Sequence, residues 1–188
     1  NWRTERSISG GGILLDQGIH LLDLMRLFAG EFTEVYSFVS NDYWNHDVED
    51  NAYALMRTER NIVAMVHSSA TQWRHQFRLE ITLTRVSIVL GGILSGSKSY
   101  GDETMTTIYK GEGEGDVPTE KTARYSVDHS WKDEIDEFTN AIVDDLPILY
   151  GTAQDALKTM ELVYKIYCAD TDWKERFQLS CEIDKHLR

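Results

Sequence analysis

The chain has 188 residues, 41% of them hydrophobic, with 19 Lys and Arg against 31 Asp and Glu for a formal net charge of −12 at pH 7. That charge repels nucleic acid and anionic membranes, and no apolar run reaches the roughly 18 residues of a membrane span or carries a signal-peptide pattern. A chain this long buries about two-thirds of its unfolded surface, so one domain over residues 1–188 is expected; Cys168 and Cys181 are too few for a disulfide framework, which points to reduced thiols in a cytoplasm.

Asn1 to Ser9 reads as a short polar lead-in. Gly10, Gly11 and Gly12 then open an apolar stretch, Ile13 to Phe28, closed by Gly30 and read as a buried helix. Glu34 to Ser40 is rich in β-branched and aromatic residues and reads as a strand, followed by a loop from Asn41 to Asp50. Ala52 to Arg57 and Ile62 to Trp73 are strand-like and joined across Thr58 to Asn61, an antiparallel hairpin. Phe77 to Thr84 alternates apolar and polar residues with period 2, and Ser87 to Leu90 returns beside it. Gly91 to Gly101 is a glycine-bearing loop, Thr104 to Tyr109 a further strand, and the acidic stretch Lys110 to Thr122, with Pro118, an exposed excursion. Ser130 is placed to cap a helix with Trp131, Ile135, Phe138 and Ile142 at helical spacing. Thr152, with Asp155 three residues on, is placed to cap another whose apolar face is Ala156, Leu157, Met160, Val163, Tyr164 and Tyr167. Strands framed by helices define an α+β fold: a mostly antiparallel open β-sheet with helices packed on one face, the other face left for a partner subunit.

The chemistry concentrates on the first helix. At about 100° per residue Asp16, His20 and Asp23 fall within an arc of roughly 60°. An imidazole between carboxylates can take a proton from a substrate hydroxyl while a carboxylate fixes its tautomer. The plainer alternative, an Asp stabilised at a helix N-terminus and a satisfied core histidine, stays open on spacing alone. A third reading has His20 and Asp16 ligate a metal with His46, Asp47 or Glu49. Trp73, Arg74 and His75, with Tyr43, Trp44 and Tyr100, have the composition to stack on a sugar ring and bind its hydroxyls, although tryptophan is more often used in cores and interfaces. The acidic run Asp47 to Asp50 reads as a solvated turn. Leu15 stands where the third glycine of a G-x-G-x-x-G turn would fall, and no strand precedes the glycines, so the dinucleotide fingerprint is absent.

The stretch Gly-Gly-Gly-Ile-Leu-Leu-Asp-Gln-Gly-Ile-His-Leu-Leu-Asp, from Gly10 to Asp23, resembles the start of the C-terminal domain of the Gfo/Idh/MocA oxidoreductases, the glucose-fructose oxidoreductase and inositol dehydrogenase group. The resemblance continues more loosely through Val48 to Ala52, the hairpin, and the helix beginning at Gly151. It implies that the chain is the substrate-binding and oligomerisation half of an NAD(P)-dependent oxidoreductase, acting on a secondary hydroxyl or ketone of a sugar, nucleotide sugar or cyclitol. It implies further that NAD or NADP is bound mainly by a Rossmann domain outside this chain, where the family's Glu-Lys-Pro lysine also lies, so that the chain alone is inactive. Carried over residue by residue, His20 matches the family's proposed acid/base, Asp16 the partner that holds substrate or histidine, and Asp23 a supporting residue. Trp73 and Arg74, in Thr71-Gln72-Trp73-Arg74 with Phe77 and Glu80 and with Ser99 to Glu103 beyond, are similar to members linked to sugar or nucleotide-sugar metabolism and are expected to bind substrate. The Thr84 to Ser87 turn departs from the family pattern in lacking a glycine, which leaves its turn type open. A homodimer or tetramer through the open sheet face is the expected assembly. The rivals are a non-catalytic assembly and recognition module, and a metal-dependent hydrolase or isomerase using His20, Asp16 and His46.

Overall fold

The computed structural model describes residues 1–94, 100–111, 113, 115–149 and 151–181. Its helices are α1 (Arg6–Ser9), α2 (Ile19–Ala29), α3 (Ser130–Val143), α4 (Ala153–Ala169) and α5 (Thr171–Arg176). Its strands are β1 (Phe32–Ser40), β2 (Asn51–Thr58), β3 (Val63–Ser69), β4 (Arg78–Thr82), β5 (Val86–Gly91), β6 (Glu103–Tyr109) and β7 (Thr119–Tyr125). The chain falls into two compact units, Asn1–Thr71 with Leu149–Arg188, and Gln72–Ile148.

In the first unit β1, β2 and β3 form an antiparallel meander. Alternation along the strands sends Ser37, Val39, Ala52, Ala54, Met56, Val66 and Ser68 to a buried face. Helix α4 packs on β1, burying Leu162, Val163, Ile166 and Tyr167. Two polar ties fix it: the Ser37 hydroxyl donates to the Ile166 carbonyl (2.6 Å), and Asp170 accepts from the Val39 amide (2.7 Å). The opposite face carries three registered rows, Glu34–Arg57–Val63, Tyr36–Leu55–Met65 and Phe38–Tyr53–His67. Its apolar members are exposed, Phe38 and Met65 at 79% each.

The second unit is an antiparallel meander in the order β4-β5-β6-β7, followed by α3. The α+β, antiparallel character read from the sequence therefore holds, with the strands divided between two sheets rather than gathered in one. Irregular backbone from Ala70 to Phe77 separates β3 from β4. The β4–β5 turn needs no glycine, because neither Thr84 nor Arg85 adopts a positive φ and the Leu83 amide reaches the Val86 carbonyl at 2.9 Å.

Four expectations are corrected. Part of the exposed excursion is strand β7, whose residues are all exposed; its polar sequence on both faces hides the period of 2. Ser130 does not cap α3: Asp128 accepts from both its amide (2.9 Å) and its hydroxyl (2.6 Å), while Trp131, Ile135, Phe138 and Ile142 are exposed. Thr152 does cap α4, its hydroxyl accepting from the Asp155 amide, but the buried face is Thr159, Leu162, Val163, Ile166 and Tyr167, with Tyr164 outside it. Finally, Cys168 and Cys181 are bridged rather than reduced, because α5 packs back on α4 and brings their Cα atoms to 6.0 Å. The bridge removes the argument from free thiols for a cytoplasmic location. Closing a loop of 13 residues contributes about 3 kcal/mol. Dithiothreitol, or Cys181→Ser, is expected to lower the urea midpoint by a corresponding amount; an unmoved midpoint would count against the bridge. Among the described residues no helix is long and apolar enough to cross a membrane.

Candidate functional site

The site is built on a carboxylate that looked solvated in the sequence. Glu49 is 2% exposed and its side chain accepts from the amides of Gly12 (2.8 Å) and Leu14 (3.0 Å) and from the Tyr167 hydroxyl (2.6 Å). Its own carbonyl accepts from the Ile13 amide (3.1 Å). A Cβ on Gly12 would lie 2.0 Å from that carbonyl oxygen, so only glycine lets the two backbones meet. Burial, then the Glu49 charge, push the Tyr167 phenol far above its ordinary range, which keeps it protonated and donating.

From this anchor the chain enters a π-helical turn, Leu14–Gly18, that runs straight into α2. Gly18 faces β3, where a Cβ would come within 2.8 Å of the Ser68 hydroxyl, and that hydroxyl donates to the Ile13 carbonyl (3.2 Å). The expected polar stripe faces outward. Leu14, Gly18, Leu22, Met25 and Arg26 face inward, while Asp16, His20 and Asp23 are exposed, so the helix is half buried rather than buried. No hydrogen bond or ion pair among the described residues joins His20 to either carboxylate. Asp23 belongs instead to a structural knot: it accepts from the Thr159 hydroxyl (2.7 Å) and lies 3.4 Å from Arg26, whose guanidinium also grips Glu31 (2.7 Å). The Arg26 hydrogen bond holds the Glu31 carboxyl below its ordinary range.

Asp16 faces a cleft of about 500 Å³ whose walls include Trp2, Arg3, Asp16, Trp44 and His46, with Glu49 and Asp50 behind. Each wall is held in place. Buried Asp50 accepts from the amides of Tyr43 (2.9 Å) and Trp44 (3.0 Å), and the Trp44 indole N–H donates to the Ala70 carbonyl (3.2 Å) with the Tyr43 ring edge-on at 4.8 Å. Asp47 accepts from the Arg6 amide (2.9 Å), and the Arg6 guanidinium sits 4.4 Å from the Phe177 ring centroid, tying the Trp2–Arg3 segment to the end of the chain. Arg3 lies over the Trp2 ring at 4.8 Å and 3.6 Å from Asp16.

The cleft thus contains Asp16 and Trp44 from the sequence reading but not His20, which lies four residues along the same helix. Trp73, Arg74, His75 and Tyr100 are in the second unit and do not line it; His75 and Tyr100 have ring centroids 5.2 Å apart, and Trp73 is 89% exposed. Of the Ser99 to Glu103 stretch, Ser99 lies outside the described residues. Trp2 and Arg3 were missed because they fall in a short polar lead-in; two tryptophans spaced around a Gly-rich turn, Trp2 and Trp44, were the available signal. Among the described residues no group of three His, Cys, Asp or Glu side chains stands ready for a metal ion, and Glu49 and Asp47 are already engaged, so the geometry lends the metal-dependent reading no support. Nor are the amides of Gly10, Gly12 and Leu14 open to a phosphate: the first donates to the Arg6 carbonyl and the other two to the Glu49 carboxylate.

Fold and cleft define α+β units with a half-exposed helix beside a largely apolar, tryptophan-walled cleft that carries Arg3, Asp16 and His46. Residues 1–89 match the family model described as GFO/IDH/MocA C-terminal domain, in keeping with the resemblance carried by Gly10 to Gly30. No curated protein matches the chain by sequence. Among solved structures, levoglucosan dehydrogenase in complex with NADH and levoglucosan superposes with a TM-score of 0.73 at 18% identity, over 92% of this chain and 52% of that one. An aldose-aldose oxidoreductase from Caulobacter crescentus gives 0.72 at 21% identity, over 92% and 49%. UDP-N-acetylglucosamine 3-dehydrogenase GnnA from Acidithiobacillus ferrooxidans gives 0.70 at 19%, over 86% and 49%. The chain spans about half the length of the structures it matches.

Proposed function

We infer that this chain is the substrate-binding and assembly half of an NAD(P)-dependent oxidoreductase that interconverts a secondary hydroxyl and a ketone on a sugar, nucleotide sugar or cyclitol. The observation that carries the reading is the pairing of Asp16, open to a cleft walled by tryptophans, with exposed His20 one helical turn further along α2. The family match and the sugar-acting structural neighbours support the same class. Residues 1–188 are read as one functional half.

In this scheme Asp16 accepts hydrogen bonds from substrate hydroxyls and orients the ring, and His20 accepts the hydroxyl proton as the ketone forms and returns it in reduction. The nicotinamide supplies the hydride acceptor; the Gly12 and Leu14 amides are already taken by Glu49, which supports the reading that the cofactor is held mainly by residues outside this chain. Asp16→Ala in the full-length protein is expected to raise the KM for a sugar substrate about 10-fold or more, because a charged hydrogen-bond acceptor is lost. An unchanged KM, measured by nicotinamide absorbance, would remove Asp16 from the site.

The outer face of β1–β3 supports the assembly role. Tyr36, Phe38, Tyr53, Leu55, Val63 and Met65 form an exposed apolar surface on registered strands, with the Glu34–Arg57 ion pair (3.5 Å) at its edge. Phe38→Asp, on an exposed position that the fold does not need, is expected to convert a dimer or tetramer to monomers in sedimentation. A wild-type chain that is monomeric at micromolar concentration would contradict this assignment.

A further inference from the structure

We propose that Arg3 and Asp16 form a donor–acceptor grip for two adjacent hydroxyls of an uncharged cyclic polyol stacked on Trp44, and that this cleft selects against acidic sugars. The inference rests on the sugar-oxidoreductase reading and narrows its substrate class.

The grip follows from what the pair leaves unused. Arg3 and Asp16 are 3.6 Å apart, too long for a hydrogen bond, and their side chains are 58% and 44% exposed. Arg3 has donors with no acceptor among the described residues, and Asp16 has only a long contact from Gln17 (3.4 Å). A hydroxyl both donates and accepts, so one ring hydroxyl can donate to Asp16 while its neighbour accepts from Arg3. Trp44 is the platform because its ring is fixed before a ligand arrives, by the N–H bond to Ala70 and the edge of Tyr43, yet stays 48% exposed.

Charge sets the selectivity. Asp16 is the open carboxylate of the cleft, the carboxylates of Glu49 and Asp50 lie buried behind its wall, and Arg3 supplies the guanidinium among the lining residues. The whole chain carries −12. A carboxylate or phosphate on the ligand would have to take Arg3 from Asp16 and sit among the remaining acids, whereas a neutral diol uses both groups as they stand. The diphosphate of a nucleotide sugar would have to lie outside this cleft.

The test is ligand-observed saturation-transfer NMR on the 188-residue chain, with methyl glucoside, methyl galactoside and myo-inositol as neutral probes and glucuronate and glucose 1-phosphate as acidic ones. At least one neutral probe is expected to bind about 10-fold more tightly than either acid, and Arg3→Gln and Trp44→Ala each to weaken it about 10-fold. Both residues are partly exposed, so the variants should fold; a circular dichroism spectrum confirms it. Equal or tighter binding of an acid, no binding of any neutral probe, or unaffected variants would overturn the proposal. No turnover enters this assay. Selectivity can therefore fail while the full-length protein still turns over sugars, and the dehydrogenase reading can fail, through no nicotinamide-dependent turnover of any sugar by the full-length protein, while neutral selectivity stands.

Discussion

Glu49→Ala is expected to lower the unfolding free energy by about 5 kcal/mol, because it strands three buried donors, each costing about 1–3 kcal/mol without an acceptor. Those donors are the amides of Gly12 and Leu14 and the hydroxyl of Tyr167. Water cannot easily replace the carboxylate, since Leu14 and Tyr167 are 0% and 1% exposed. Two controls separate the causes. Glu49→Gln keeps the acceptor shared by Leu14 and Tyr167 but turns an amide NH₂ toward the Gly12 amide, for a loss of about 2 kcal/mol; Tyr167→Phe removes one donor and costs about 1–2 kcal/mol. Urea unfolding followed by tryptophan fluorescence measures all three. A loss below about 1 kcal/mol for Glu49→Ala would show that the carboxylate does not anchor the helix. The consequence for function is direct: the same anchor sets where the π turn begins, and so which way Asp16 points.

The first sheet was legible because Glu34 to Ser40 is rich in β-branched and aromatic residues; its period of 2 appears only in burial, since Tyr36, Phe38, Tyr53 and Leu55 make the exposed face apolar as well. Strand β7 was not, since Thr-Glu-Lys-Thr-Ala-Arg-Tyr is exposed throughout and its place is set by pairing with β6. The helix from Gly10 to Gly30 was legible as an element but not in its burial. Asp16, His20 and Asp23 are all exposed, and the turn that starts the helix is π-helical, taking its hydrogen bonds one residue further than an α turn, which residue types alone do not announce. Apolar residues at Leu27 and Phe28, 69% and 53% exposed, made the helix read as buried on all sides.

The site was half legible for a related reason. Asp16 and Trp44 stood out by residue type, and the structure brings both to one cleft. Glu49 and Asp50 did not, because an acidic run between strands looks solvated until the backbone amides it satisfies are known. The three glycines hinted at this, since a helix start stripped of side chains implies something packed closely against it, and the Glu49 backbone is what lies there. The cysteine bridge was missed because pairing depends on α5 packing back on α4, a tertiary fact that two isolated cysteines do not announce.

The second large effect belongs to His20. It is exposed and bonded to neither Asp16 nor Asp23, so its removal leaves no buried partner stranded and the fold should hold. Its loss should fall on the chemical step: general acid–base groups contribute about 10²–10⁴-fold, and the substrate grip at Asp16 would remain. The measurement that tests the account most directly is therefore the steady-state kinetics of His20→Ala in the full-length protein, with nicotinamide cofactor and a sugar substrate. The account predicts a kcat lowered about 100-fold or more with KM changed little. A kcat equal to that of the wild type would contradict it, and would leave these residues as a recognition and assembly domain.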